Sequence, residues 1–149
     1  MKYLAALTLT ALALMLGGCG GSNNSGSING NWSAALLNSD GSAAFGFTAT
    51  LTQGSGSSVA VSNFTFTTSS PCFSTATSQS ASFQLTGNTN GNVTGTYGMT
   101  ISTMFAAGQT NNELVLQGTV SGGTISSTWN LTGLQSGCQG TGTFTMTTS

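Results

Sequence analysis

The stretch Phe45-Gly46-Phe47-Thr48-Ala49-Thr50-Leu51 sets an apolar side chain at every second position, with glycine or threonine between. Successive residues of a strand point to opposite faces, so Phe45, Phe47, Ala49 and Leu51 share one buried face. The same period organises the segments around it. Trp32, Ala34 and Leu36 alternate upstream. Downstream, Val59 to Thr67 changes phase between Val59/Val61 and Phe64/Phe66, which predicts a bulge near Asn63. Ala81/Phe83/Leu85, Val93/Gly95/Tyr97/Met99/Ile101 and Leu114/Leu116/Gly118/Val120 follow, then Ile125/Ser127/Trp129/Leu131 and Gly142/Phe144/Met146. That makes eight strands.

Gly, Asn and Ser clusters separate these segments, and no helical segment of useful length lies between them. Threonine dominates the opposite face, where a β-branched polar residue suits an exposed sheet. Eight sequential strands on hairpin-length turns predict an all-β fold, an eight-stranded up-and-down antiparallel β-barrel. A flattened β-sandwich is the alternative that the same pattern serves. Strand length alone also fits a membrane-spanning barrel. Such barrels usually end in an aromatic residue and do not normally carry the leader found here, whereas the last residues are Thr147-Thr148-Ser149.

The leader has one cation, Lys2, then an apolar run from Leu4 to Leu16, and closes on Leu16-Gly17-Gly18-Cys19. That order is a secretory signal, and the run is shorter than the ~20 residues of a transmembrane helix. A plain cleaved signal fits the length equally well but leaves Cys19 as an odd thiol. The motif resembles the lipobox of bacterial lipoproteins. The resemblance implies that Cys19 is acylated, becomes the new N-terminus and holds the protein to a lipid bilayer. An aspartate after the cysteine is associated in that family with inner-membrane retention. Gly20 stands there instead, which implies the outer membrane, on its periplasmic face or at the cell surface. The expected organisation is a signal peptide over 1–18, a lipidated cysteine and flexible tether over 19–29, and one barrel domain over 30–149.

Once Lys2 leaves with the signal, the mature chain holds no Lys, Arg or His, and its side-chain carboxylates are Asp40 and Glu113. Nucleic-acid binding is excluded, because phosphate neutralisation needs Lys or Arg. Electrostatic docking on anionic lipid is excluded for the same reason. Without clustered His, Asp or Cys there is no metal site, and without His, Lys or Arg there is no ordinary triad base. Asp40 and Glu113 are formally a glycosidase-like carboxylate pair. Asp40 nevertheless sits in Asn38-Ser39-Asp40-Gly41, which is turn chemistry, and Glu113 opens a strand after Asn111-Asn112. The chain is expected not to be an enzyme and to carry no cofactor.

Gly30-Asn31-Trp32, at the start of the first strand, resembles the lipocalin and avidin group of barrels, where the tryptophan closes the base. The resemblance implies a base at Trp32, with Trp129 packed nearby. It makes Trp32, Tyr97 and Trp129 the candidate lining of a small apolar ligand. Two departures stand against carrying a ligand over. Lipocalins pair that tryptophan with a basic residue on the last strand, and avidin-like proteins use a buried aspartate; this chain supplies neither.

In an up-and-down barrel, alternate connections share an end. The second, fourth and sixth turns are short and Gly-rich, and their end also receives the tether. Asp40, Cys72, Glu113 and Cys138 fall at the opposite, far end. Cys72 and Cys138 are an even pair in an exported domain, which predicts a disulfide. Standing 66 positions apart, they close a loop worth about 4 kcal/mol of chain entropy. Two functions remain: a structural or interaction barrel filled by Phe45, Phe47, Phe83, Met99, Phe144 and Met146, meeting envelope proteins, or a carrier of a small apolar ligand.

Overall fold

A computed structural model describes residues 27–73, 77–89, 92–103 and 111–149. The signal segment, Cys19 and the tether up to residue 26 lie outside the described residues. Eight strands follow in chain order: β1 (Gly30–Asn38), β2 (Ala43–Gln53), β3 (Ser58–Phe66), β4 (Thr77–Thr89), β5 (Asn92–Thr103), β6 (Glu113–Ser121), β7 (Thr124–Thr132) and β8 (Gly140–Thr148). Each pairs antiparallel with the next, and β1 pairs with β8, so the sheet closes into an up-and-down barrel. Closure rules out the open sandwich. Between β3 and β4 lies one helical turn, Pro71–Phe73.

The interior follows the period-two reading except at Leu85, which is exposed beside a register shift in β4. Trp32, Ala34 and Leu36 are buried on β1, and Phe47, Ala49 and Leu51 on β2, with Phe45 packed against them. Phe83, Met99, Phe144 and Met146 fill the middle, each at most 2% exposed. Outward positions carry small hydroxyl side chains, as in the exposed row Thr141, Thr143, Thr145 and Thr147 of β8. A barrel in lipid needs an apolar outer band, and this wall presents hydroxyls instead.

The phase change in β3 is a bulge. Thr48 faces Thr65 and Thr50 faces Ser62, so Ala49 stands against both Asn63 and Phe64. Asn63 takes φ 50°, the left-handed region that asparagine tolerates better than most residues. Its side-chain amide donates to Thr50 Oγ1 at 3.2 Å. The extra residue returns Phe64 and Phe66 to the inner face.

The domain boundary needs one correction. Ile28, read from sequence as tether, is 2% exposed and belongs to the core. Trp32 Nε1 donates to its carbonyl at 2.9 Å, and the backbone N–H of Gln53 donates to Asn29 Oδ1 at 2.6 Å. A Gly/Ser/Asn-rich segment reads as coil by composition. A single isoleucine with a buried seat overrides that, at about 1.5–3 kcal/mol for its burial.

Candidate functional site: the lumen and its two ends

Size alternation fills the lumen. A Cβ at Gly95 would run into the Phe83 ring, and one at Gly118 would come within 2.9 Å of the Phe144 ring. Large rings thus lie over glycines on facing strands, the small-and-large fit that packs a narrow barrel. Trp32, Tyr97 and Trp129 are 2%, 3% and 3% exposed, and each polar atom has a partner within the chain. Trp32 Nε1 bonds to the Ile28 carbonyl, and Tyr97 OH donates to Met99 Sδ at 3.3 Å. Trp129 Nε1 donates to the Leu37 carbonyl at 2.8 Å.

Trp32 and Trp129 do not share one end of the lumen. Register sets Trp129 opposite Gly142, and Gly142 opposite Asn38. Trp129 is therefore level with Asn38, six residues up β1 from Trp32, or about 20 Å along the strand. The expected packing of Trp129 near Trp32 is corrected: β1 and β7 run in the same direction, and the two indoles occupy opposite ends. Trp129 meets Phe45 edge-on at 5.8 Å instead. Burial pushes the Tyr97 phenol above its ordinary range, so it stays a neutral donor inside the barrel.

Each end has a stopper. At the near end, Ile28 is held over Trp32 as described. At the far end, Phe73 is buried, meets Phe45 edge-on at 5.9 Å and stacks on Phe66 at 5.0 Å. Cys72 and Cys138 form the expected disulfide, with Cα atoms 5.5 Å apart, tying this turn to the β7–β8 connection. Asn112, 1% exposed, bonds inward on two sides. Its Nδ2 donates to the Cys72 carbonyl at 2.9 Å, and its N–H donates to Thr103 Oγ1 at 2.9 Å. Gly133 leaves the room for it, because a Cβ there would strike the Asn112 side chain.

Sequence reading found the cysteine pair but not Ile28, Phe73 or Asn112. Phe73 beside a disulfide cysteine was the one legible hint. Nothing in the pattern distinguishes Asn112 from its loop neighbour Asn111.

The two carboxylates have separate settings. Asp40 accepts from the N–H of Ser42 at 2.9 Å and its Oγ at 2.6 Å, closing the β1–β2 turn. The Ser42 hydroxyl first, and its N–H second, hold the Asp40 carboxyl below the usual carboxylate range. Glu113 opens β6 between Ser102 and Thr132 and is exposed. Among the described residues, no three His, Cys, Asp or Glu side chains come close enough to hold a metal. Two hollows among the described residues lie outside the lumen. One of about 760 Å³ sits on the outer wall of β6–β8 at Val115, Thr128 and Thr143, and one of about 560 Å³ at the rim beside Phe66, Pro71 and Phe73. Searches of protein-family models, curated proteins and solved structures returned no match to this chain.

Proposed function

We propose that this chain is a membrane-anchored envelope lipoprotein whose barrel is a non-catalytic structural and interaction module. The observation that carries the reading is the packed interior: Phe47, Phe83, Phe144 and Met146 are buried inside the barrel, with Ile28 and Phe73 buried at its ends. A carrier needs a preformed cavity for its ligand. Here the candidate lining residues spend their polar atoms on the chain itself. Contact with partners then falls to the outer wall and the rims.

Anchoring rests on the lipobox resemblance at Leu16–Cys19. The described domain starts near Ile28, eight residues beyond Gly20. The chain enters the barrel at the near end, so an anchor at Cys19 puts the disulfide-bearing end away from the bilayer. Metabolic labelling with palmitate, followed by membrane fractionation, tests the anchor. Label and membrane association should both be lost in Cys19→Ser. Membrane association that survives the substitution would refute the anchor.

A further inference from the structure

We infer that the seam between β3 and β4 is a docking edge for an extended, uncharged peptide strand. This deepens the interaction reading above and rests on it. The β3–β4 ladder holds Ser58↔Ser82 and Val59↔Ala81 and no further pair among the described residues, whereas every other seam registers at least six. An unbroken register would continue Ala60 to Ser80, Val61 to Gln79, Ser62 to Ser78 and Asn63 to Thr77. All eight residues lie within the two strands, yet none is paired across the seam. The parting begins after Val59, ahead of the Asn63 bulge, while β3 stays laddered to β2 through Ser62.

The direction of the free groups follows from the last bonds made. The Ser57 carbonyl faces β4 and accepts from Phe83 N–H at 2.8 Å, while the Ser58 carbonyl faces the other way, to Gly54 N–H. Alternation then turns the N–H and C=O of Val59 and Val61 toward β4. On the opposite edge, the same count turns Phe83, Ala81 and Gln79 toward β3. Val61 and Gln79 therefore present unladdered donors and acceptors to one another across the opening.

Their spacing defines the occupant. Backbone groups at strand intervals are matched by another extended polypeptide, which can add to an unpaired sheet edge. Behind the edge, Val61, Phe64 and Phe66 are half-buried and join the Phe47 aromatic cluster. They call for apolar side chains at alternate positions of the incoming strand. Ser62, Ser78, Gln79 and Ser80 flank the gap with no charge, so a charged residue there would lie unpaired against apolar surface. Four open positions give a contact about 13 Å long. The rim hollow at Phe66, Pro71 and Phe73 continues it at the far end.

Amide hydrogen exchange on the full chain in detergent micelles tests this. The probe is a capped octapeptide of alternating threonine and valine, with the same peptide N-methylated at alternate amides as its control. Val61 and Gln79 amides should exchange freely without probe and slow at least about tenfold with it. The methylated peptide should give no protection, and Gln79→Pro, with an unchanged near-ultraviolet spectrum, should lose the effect. Slow exchange at both amides in the free monomer, a dimer closed through this edge without probe, or equal protection by the methylated peptide would each overturn the inference. So would an absence of protection at saturating probe. A small apolar molecule that enters the lumen would instead sink the interaction reading, and it would show at Trp32 and Trp129 with the seam amides unaltered.

Discussion

Trp129 on β7 reaches across β8 to the Leu37 carbonyl of β1, 2.8 Å from its Nε1, by passing over Gly142. A Cβ at Gly142 would collide with the Leu37 carbonyl and stand 2.7 Å from Nε1. One glycine thus lets one side chain tie three strands together at the barrel's closing seam.

Gly142→Ala should destabilise by about 1–3 kcal/mol through overpacking against backbone. Trp129→Phe should lose about 0.5–1.5 kcal/mol by removing the indole hydrogen bond to the Leu37 carbonyl. Urea unfolding of both single variants and the double variant checks this. The losses should fall well short of additive, since each change breaks the same bond.

At the far end, reducing the disulfide, or making Cys72→Ser with Cys138→Ser, should lower stability by about 2–5 kcal/mol. Asn112→Ala should remove about 1–3 kcal/mol in the oxidised protein. Its effect should shrink once the cysteines are replaced, because the Cys72 carbonyl it serves is then held less firmly. Thermal melts of the four combinations measure that coupling.

Asn63→Val forces a β-branched side chain into positive φ and should be destabilising by about 1–3 kcal/mol. Asn63→Gly relieves the backbone but removes the bond to Thr50, so it should sit much closer to the native protein. Equal losses in the two variants would mean that the bulge strain is unimportant.

The chain has no histidine, and stability should be flat across neutral pH. Tyr97 has a raised folded-state pKa because it is buried. Its contribution is whole below the unfolded value of about 10 and is lost as pH rises through the folded value. Alkaline unfolding should therefore coincide with ionisation of this phenol, followed by tyrosine absorbance and circular dichroism together. Asp40 runs the other way: its lowered pKa gives stability above the unfolded value of about 4, lost as pH falls. Full exposure keeps that effect small.

Strand positions were legible because each carries a period-two stripe, and the Asn63 bulge because it breaks one. Strand count and short turns pointed to a barrel but served a flattened sandwich equally, and it is the β1–β8 pairing that closes the sheet. The plugs were not legible. Ile28 is one apolar residue in a coil-like segment, and Asn112 takes its importance from Cys72 and Thr103, partners that only the closed barrel brings near it. The open seam was hidden as well: Ala60–Asn63 and Thr77–Ser80 both have strand composition, and nothing in either segment marks that the two do not pair.

The most direct test of a filled lumen compares the native chain with Phe83→Ala, which empties the space over Gly95. An apolar aromatic probe such as indole would be titrated into each, following melting temperature and ligand-detected magnetic resonance. Truncating this ring should cost about 3–5 kcal/mol and leave a dry cavity able to take such a probe. The expected result is saturable binding with a rise in melting temperature for Phe83→Ala and none for the native protein. Saturable binding by the native protein, with tryptophan emission changing in step, would contradict the filled barrel and restore a ligand carrier.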